Sequence, residues 1–285
     1  MNTILNLVYP EKSHIDYEIA RFPDGHKHIK LKGDFNKHQK IDIICRICNA
    51  DDLFILLQIK DILSVNDVRT GRIIIYYLFT MRCDRRFTIG EAHDLNIILT
   101  TLKDLFGDET ITLIDPHTNI HPRKLDLHST EYMITNFNYK DYRICFPDEG
   151  AKNRLLDRFV DYGDPLSDFN SYVHSKLPII CTKERFGKDN LTVTVNDVEK
   201  WEKKKLKNVL VVDDLCDGGL TFVKLAEELR RLSPKKLSIF ITHAIQINGI
   251  TELSKVYDEV FITDSYRNWG DVTLRDNVKV IKLNY

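Results

Sequence analysis

The chain has 285 residues, of which 43% are hydrophobic and 29% are charged, and this is the composition of an ordinary globular protein. Its formal net charge is -1, so it lacks the basic excess that a nucleic-acid-binding protein usually carries. No apolar stretch approaches the length that spans a bilayer, and Met1–Pro10 is typical of a first strand rather than a signal peptide. These features predict a cytoplasmic protein that binds neither nucleic acid nor membrane.

Short runs rich in β-branched residues alternate along the chain with amphipathic stretches. The runs predicted as strands are, in chain order, Met1–Pro10, Ile41–Cys48, Ile73–Tyr77, Thr110–Ile114, Tyr142–Phe146, Val209–Val212, Leu237–Thr242, Glu259–Thr263 and Val278–Leu283. The stretches predicted as helices are Ala92–Phe106, Ala151–Phe159, Thr221–Leu232 and Gly249–Val256. This alternation predicts an α/β fold of mainly parallel sheets flanked by helices, with a boundary near residues 131–138.

The loops that follow the predicted strands are expected to carry the ligand sites, because ligands of such sheets bind beyond the carboxyl ends of the strands. Four of these loops are unusually rich in charge and glycine: Arg82–Glu91, Asp115–Arg123, Pro147–Arg154 and Asp213–Thr221. The boundary near residues 131–138 places two of them in each half of the chain.

The segment Val209–Phe222 carries the most specific of these patterns. An apolar strand ends in Asp213 and Asp214, and a tight Gly-Gly turn then opens a helix. Glycines let backbone N–H groups converge on an anion, and a helix start adds unpaired amides and the positive end of the helix dipole. The pattern predicts a phosphate site, to which the hydroxyl of Thr221 also contributes.

Asp213 and Asp214 need a different role, because carboxylates repel phosphate. They suit hydrogen bonds to vicinal ribose hydroxyls, made directly or through a metal-bound water. A phosphate and a sugar diol side by side indicate a ribose phosphate as the ligand. The alternative is that the carboxylates and glycines only make a turn and cap a helix, which the complete pattern disfavours.

This segment resembles the phosphoribosyl pyrophosphate (PRPP) binding motif of type I phosphoribosyltransferases and of PRPP synthetases, the ribose-phosphate pyrophosphokinases. Six further segments resemble those of the synthetases in the same order: Arg21–Gly25, Tyr76–Arg86, Ile114–Thr118, Phe146–Lys152, Thr182–Arg185 and Thr242-His243. The resemblance implies two tandem phosphoribosyltransferase-like domains, residues 1–135 and 136–275, with the active site between them. It also implies that the last strand, residues 276–285, returns to the N-terminal domain.

The resemblance implies an ATP-dependent pyrophosphokinase that uses Mg²⁺ and transfers pyrophosphate to the anomeric hydroxyl of a 5-phosphorylated ribose. Such a transfer relies on cations and on positioning more than on covalent chemistry. The residues that match the family's ATP site are Phe22, Asp24, Arg82, Asp84 and His117; those that match its metal site are His117 and Asp148; those that match its catalytic loop, Lys183–Asn190, are Lys183 and Arg185. The residues that match its ribose 5-phosphate site are Asp213, Asp214, Asp217, Gly218, Gly219, Leu220 and Thr221.

Several of these residues also have plainer interpretations. A lone histidine at a strand end, such as His117, is often a structural hydrogen-bonding group, and Mg²⁺ usually takes oxygen ligands. Arg82 could be a surface arginine at the end of a strand. The charged stretch Lys183–Asn190 is also typical of a solvated hairpin turn.

The sequence departs from the family at both ends of the expected substrate cleft. Cys83 stands where the synthetases have glutamine, and His26 where they have glutamate. The phosphate loop reads Asp217-Gly218-Gly219-Leu220-Thr221 where theirs reads Asp-Thr-Gly-Gly-Thr. The changes leave ribose 5-phosphate and ADP-ribose open as acceptors, the second being that of a compact phage branch that rebuilds NAD and would act in the host cytoplasm.

Two other functions share parts of the pattern. A phosphoribosyltransferase would use the same loop, but this leaves the segments of Arg82, His117 and Lys183 unexplained. A non-catalytic regulatory homologue would have lost the catalytic residues, which are present here. A homo-oligomer is expected because the family completes its ATP site across subunits. Dimer and hexamer both stay open, because the sequence ends directly after a strand where the synthetases continue into a helix.

Overall fold

The computed structural model describes residues 3–33, 39–107, 110–118, 125–126, 139–156, 165–186, 190–202 and 208–285. The chain divides into two compact units, one of Met1–Asp126 with Tyr285 and one of Leu127–Asn284. The predicted boundary between residues 135 and 136 lies outside the described residues and stays a prediction.

The N-terminal unit is built on a parallel sheet. Its strands are β1 (Thr3–Asn6), β2 (Tyr17–Arg21), β3 (Lys27–Leu31), β4 (Lys40–Ile47), β5 (Arg69–Leu78), β6 (Ile111–Ile114) and β7 (Leu125–Asp126), and its helices are α1 (Ala50–Val65) and α2 (Asp94–Phe106). The sheet has the order β1-β4-β5-β6-β7 with every pair parallel, while β2 and β3 form a separate antiparallel hairpin.

Helix α1 is not predicted by the hydrophobic pattern, because its apolar residues lie on more than one side. Ile55 and Ile59 are buried, but Phe54, directly before Ile55 in the same helix, is 47% exposed. The start of the helix nevertheless carries a recognisable cap, since the Asn49 side chain accepts a hydrogen bond of 3.1 Å from the Asp52 N–H. Capping residues would therefore have located this helix where periodicity does not.

The C-terminal unit is built on a larger sheet. Its strands are β8 (Tyr142–Phe146), β9 (Ile179–Phe186), β10 (Asn190–Val195), β11 (Asn208–Cys216), β12 (Lys236–Ala244), β13 (Glu259–Thr263) and β14 (Val278–Ile281), and its helices are α3 (Glu149–Leu156), α4 (Pro165–Lys176), α5 (Val198–Glu202), α6 (Leu220–Arg231) and α7 (Ile247–Val256). The order is β10-β9-β8-β11-β12-β13-β14, and every pair is parallel except β10 with β9.

Strand β11 lies in the middle of this sheet and is buried on both faces. Val209 and Val211 pack into one hydrophobic cluster, whereas Leu210 and Val212 pack into another. A continuous apolar run is what a parallel strand covered by helices on both sides requires. The loop that follows β11 therefore starts from one of the best-anchored strands of the unit.

The last strand differs from the prediction that it returns to the N-terminal domain. β14 instead pairs in parallel with β13 of the C-terminal unit, with Phe261 opposite Lys279 and Ile262 opposite Val280. The Leu283 N–H then donates a hydrogen bond of 2.9 Å to Asp264 Oδ1 just beyond β13. Only Tyr285 groups with the N-terminal unit. This pairing depends on long-range contacts that no local pattern reports.

We expect Asp264 to make folding stability depend on pH. Burial raises its pKa from 3.8 to about 6. Because the folded-state pKa is the higher one, its contribution to stability is complete below about pH 4 and is lost as the pH rises through about 6. The substitution Asp264→Asn, which stays neutral and keeps an acceptor for Leu283, should gain roughly 3 kcal/mol relative to the wild type across this range.

Urea denaturation at several pH values measures this difference. The exposed Asp276 provides a control, and Asp276→Asn should change the unfolding free energy by less than about 0.5 kcal/mol at every pH. If the unfolding free energies of Asp264→Asn and the wild type change in parallel between about pH 4 and about pH 7, Asp264 is not the source of the pH dependence.

Candidate active site

The predicted phosphate loop connects β11 to α6 as expected. Gly219 is the residue before the first turn of α6 and has φ +80°, a left-handed conformation that favours glycine. Its carbonyl oxygen accepts hydrogen bonds of 3.0 Å from the N–H groups of Phe222 and Val223. The amides ahead of these bonds lie at the positive end of the helix dipole, which is the arrangement that binds an anion.

Two buried carboxylates precede this loop, and one arginine bridges them. Arg154 Nη2 donates hydrogen bonds of 2.6 Å to Asp213 Oδ1 and 2.8 Å to Asp214 Oδ1. The side chains of Asp213 and Asp214 are only 12% and 4% exposed. The Asp214 N–H also donates to Asp213 Oδ1, at 2.9 Å. The three side chains therefore form a compact charged cluster beside the anion-binding loop.

Burial sets the protonation of this cluster. It raises the pKa of Asp213 well above its ordinary value, and the charge of Asp214 acts in the same direction. The Arg154 guanidinium opposes both effects, because a nearby cation favours the ionised carboxylate. Arg154 thus keeps a pair of like charges compatible with a site that water hardly reaches.

Asp148 and Lys183 reach the same edge of the sheet on neighbouring strands. Asp148 lies two residues after Phe146, the last residue of β8, and Ile180 of β9 is the partner of Phe146. Lys183 lies three residues further along β9 and is exposed. The order β9-β8-β11 therefore brings Lys183, Asp148 and the loop after β11 together at the carboxyl edge of one sheet.

Asp148 also starts helix α3. Its Oδ1 accepts a hydrogen bond of 2.7 Å from the Ala151 N–H, as an N-terminal cap does. α3 in turn carries Arg154, so the cap orients the helix that delivers the arginine to Asp213. Sequence reasoning did not assign Arg154 a role, although it lies at the end of one of the four charged loops. The sequence signal that could have identified it is an arginine two residues before the end of α3, next to a strand that ends in two carboxylates.

The stretch Lys183–Asn190, which matches the family's catalytic loop, begins inside a strand. β9 continues through Phe186 and pairs with β10 in an antiparallel hairpin, with Lys183 opposite Val193 and Arg185 opposite Leu191. The alternating threonines and valines of β10 favour this strand pairing. The Arg185 side chain and residues 187–189 lie outside the described part of the chain.

The predicted nucleotide residues lie in the N-terminal unit, and two neighbouring strands carry most of them. Arg82 and Asp84 follow β5, and His117 follows β6, its partner. Arg82 is exposed, and His117 is half-buried. Arg85 Nε donates a hydrogen bond of 3.3 Å to Asp84 Oδ1. The unit thus gathers cationic and imidazole groups at the carboxyl edge of its own parallel sheet.

Phe22 and Asp24 lie in the turn of the β2–β3 hairpin. Phe22 is 49% exposed and stacks on His26, with ring centroids 5.8 Å apart and planes 7° apart. The His26 N–H donates a hydrogen bond of 3.0 Å to Asp24 Oδ1. His26, which replaces the family's glutamate, therefore extends an exposed aromatic surface instead of adding a carboxylate.

The carboxylates of the C-terminal unit fit a magnesium ion that arrives with a nucleotide. The described residues contain no group of three His, Cys, Asp or Glu side chains arranged to hold a metal by themselves. Mg²⁺ is commonly bound by one or two carboxylates together with substrate phosphates, so such a group is not required. Asp148, the predicted metal ligand of this unit, would supply an oxygen of this kind, whereas His117 would supply nitrogen.

We compared the chain with known proteins, both by sequence and by structure. No protein-family model matches the chain. The chain is similar to the ribose-phosphate pyrophosphokinase of Pyrococcus furiosus, with 28% identity over 269 residues that cover 90% of this chain and 88% of that protein. It is also similar to the ribose-phosphate pyrophosphokinase of Methanobrevibacter smithii, with 25% identity over 250 residues that cover 82% of this chain and 79% of that protein.

The chain is thus similar to ribose-phosphate pyrophosphokinases over most of its length. The matches confirm the predicted resemblance and the prediction of an enzyme of this transferase type. The structure is also similar to the crystal structure of phosphoribosylpyrophosphate synthetase from Mycobacterium smegmatis, with a TM-score of 0.72 and 17% identity, covering 96% of this chain and 88% of that one. This likeness confirms the predicted α/β fold with two phosphoribosyltransferase-like domains.

One further prediction bears on membranes. Within the part of the chain that the structure describes, no helix combines the length and the apolar character needed to cross a bilayer.

We expect Arg154→Met to destabilise the protein and to do so more at high pH. Removing one partner of a buried ion pair leaves uncompensated charge, which costs on the order of 3 kcal/mol. The loss should shrink as the pH falls, because the pKa of Asp213 is raised and a protonated Asp213 no longer needs a cation. Urea denaturation at about pH 8 and about pH 5 measures both effects.

The matched control is Arg231→Met on α6. Arg231 is 74% exposed and pairs with Glu228 at the surface, so its loss should cost less than about 1 kcal/mol. If Arg154→Met costs no more than this control at the higher pH, Arg154 is not the counter-ion of the carboxylate pair.

Proposed function

We propose that the chain is a pyrophosphokinase that transfers the β,γ-pyrophosphate of Mg-ATP to the anomeric 1-hydroxyl of a 5-phosphorylated ribose and releases AMP. The observation that carries this proposal is the placement of the anion-binding loop beside the pair Asp213-Asp214, with Asp148 and Lys183 on the two adjoining strands. Ribose 5-phosphate, giving PRPP, is the acceptor that the names of the relatives suggest.

The loop binds the 5-phosphate of the acceptor, and the carboxylates bind its ribose hydroxyls. The backbone of Asp217–Thr221 and the Thr221 hydroxyl receive the 5-phosphate at the start of α6. Asp213 and Asp214 accept hydrogen bonds from the ribose hydroxyls, which are donors that carboxylates prefer. In this arrangement the carboxylates face neutral hydroxyls and the amides face the phosphate. Each group therefore lies against a partner of suitable charge.

Transfer joins the anomeric oxygen to the β-phosphorus of ATP and breaks the bond from that phosphorus to the oxygen bridging the α- and β-phosphates. The hydroxyl proton is lost, and the bridging oxygen leaves with AMP. Lys183 and Arg185 neutralise charge that develops on the transferred group and on the leaving oxygen. Asp148, with His117 or substrate oxygens, would hold Mg²⁺, and the ion would supply further charge neutralisation on the phosphates.

ATP binding is assigned to the N-terminal unit. Arg82 offers a cation to the phosphates, Asp84 and His117 offer polar contacts at the same sheet edge, and Phe22 with Asp24 offers an exposed ring for an adenine. We include in the proposal a homo-oligomer, dimer or hexamer, in which the hairpin of Phe22 completes the ATP site of a second copy. Its exposed aromatic surface supports this.

Lys183→Ala is expected to reduce AMP formation on the order of a hundredfold, because a cation that acts on the transition state is lost. The measurement is AMP release from Mg-ATP in the presence of ribose 5-phosphate or ADP-ribose. Lys255→Ala is the control, since Lys255 is an exposed lysine that pairs with Glu252 at the end of α7.

The outcomes separate the alternatives. Absence of AMP with either acceptor would remove the pyrophosphokinase and favour a non-catalytic homologue. Consumption of PRPP together with a nucleobase and without ATP would identify a phosphoribosyltransferase. Unchanged AMP release by Lys183→Ala would remove Lys183 from the catalytic residues.

ADP-ribose is the second acceptor to consider, and one feature of the loop favours it. A side chain added at Gly218 would meet no atom within 4 Å, and Leu220 beside it is 48% exposed. The outer side of the loop therefore has room for a phosphate that is further esterified. In this case the product is ADP-ribose pyrophosphate, the role is in NAD salvage, and the chain acts as the compact phage branch does, in a host cytoplasm.

Product analysis by mass spectrometry, with both acceptors offered together at equal concentration, tests this choice. If the open side of the loop serves an esterified phosphate, Gly218→Val should lower kcat/KM for ADP-ribose at least about tenfold more than for ribose 5-phosphate, since the added side chain fills space that only the larger acceptor needs. Equal losses for the two acceptors would contradict this use of the open side.

A further inference from the structure

The predicted phosphate loop is hydrogen-bonded to Ile245 and Gln246, the two residues that lead into α7. The Ile245 N–H donates a hydrogen bond of 2.9 Å to the Cys216 carbonyl, at the point where β11 ends. Gln246 Nε2 donates a hydrogen bond of 2.6 Å to Asp217 Oδ1, at the first residue of the loop. Ile245 and Gln246, which lead into α7, thus hold Cys216 and Asp217 at the start of the loop.

Glycine brings the two backbones into direct contact. A Cβ added at Gly249, in the first turn of α7, would lie 2.2 Å from the Asp217 carbonyl oxygen. A Cβ added at Gly219 would lie 3.0 Å from the Gly249 carbonyl oxygen. Gly249 lies inside a helix, where alanine is normally favoured over glycine, so the close approach to the loop is the physical reason for glycine there.

The contact continues into α6. The Tyr257 hydroxyl, just beyond α7, donates a buried hydrogen bond of 2.9 Å to the Phe222 carbonyl in the first turn of α6. In contrast, the space around Gly218 on the loop is open. The loop is therefore braced along one side by α7 and accessible on the other, which is the arrangement of a preformed binding surface.

We infer that Gln246 and Gly249 are positioning residues that hold the anion-binding loop in the shape that receives the 5-phosphate of the acceptor. The inference rests on the proposed function for the identity of the ligand. Gln246 acts through Asp217, whose carboxylate it fixes, and Gly249 acts by allowing α7 to support the Asp217 and Gly219 backbone. Neither residue is required to touch the phosphate.

The physical reason for such a brace is that amides bind an anion well only when they are already aimed at it. A loop with two adjacent glycines has many accessible conformations, and ordering it on binding would weaken affinity. A displacement of about 1 Å at a binding group can reduce catalytic efficiency on the order of a hundredfold. The brace removes this freedom before the ligand arrives.

Gly249→Ala tests the backbone contact. The added methyl group should displace the loop, raise KM for the acceptor on the order of tenfold or more, and leave KM for ATP within about twofold. Gly270→Ala is the matched control, because an added Cβ at the exposed Gly270 meets no atom within 4 Å. A rise in acceptor KM that is the same in both variants would overturn the role of Gly249.

Gln246 allows a test of the hydrogen bond by its chemistry. Gln246→Leu removes the donor and should raise the acceptor KM roughly threefold to tenfold with kcat within about twofold. Gln246→Glu places a carboxylate against Asp217 and should raise the acceptor KM further. Gln246→Lys restores a donor and should recover most of the affinity. Equal KM values for the leucine, glutamate and lysine variants would refute a positioning role.

Hydrogen exchange of the ligand-free protein separates this inference from the proposed function. Peptides covering Asp213–Phe222 should exchange faster in Gly249→Ala and Gln246→Leu than in the wild type and Gly270→Ala, whatever the ligand is. Unchanged exchange in both variants would overturn the inference. If exchange rises as expected while the wild type binds neither ribose 5-phosphate nor ADP-ribose by calorimetry, the brace stands and the proposed acceptor falls.

Discussion

The bridge from Arg154 to Asp213 and Asp214 is the interaction on which the C-terminal site depends. Two adjacent carboxylates at the end of a buried strand repel each other, and they also repel an anion of the kind that the following loop is predicted to bind. A single guanidinium offsets both effects, because one of its nitrogens contacts both side chains. Burial still holds the pKa of Asp213 above its ordinary value, and the guanidinium limits that rise, so the pair can occupy the buried end of β11 beside the predicted phosphate loop.

Parallel strand order is what collects these groups. β9, β8 and β11 are neighbours in the sheet but come from distant parts of the sequence, and each ends at the same edge. Arg154, Asp148 and Lys183 therefore lie at one edge of the sheet without any long loop having to reach across the unit. The same rule operates separately in the N-terminal unit, where β5 and β6 bring Arg82 and His117 to one edge.

Local sequence patterns were enough to predict the β11–α6 motif, most of the parallel strands and the helices α2, α6 and α7, because each carries its own periodicity or turn signal. They missed α1, whose apolar residues surround the helix, although its Asn49 cap is a local signal. They also gave Arg154 no role. The resemblance to the synthetases, and not a local pattern, implied that the last strand returns to the N-terminal unit, and this strand pairs with β13 instead. The role of Arg154 and the pairings of β9 and β14 depend on partners far along the chain, which a window of neighbouring residues does not contain.

The glycine at position 218 and the brace from α7 can be understood together. Where the synthetases carry a threonine, this loop has Gly218, so it loses a hydroxyl and gains conformational freedom. A looser loop binds an anion less well unless something outside it limits its motion. Gln246, with its bond to Asp217, and Gly249, against the same residue, provide that limit from one side while the opposite side stays open. Shape would then be supplied by the neighbouring helix rather than by the loop's own side chains, which leaves the open side available for a larger acceptor.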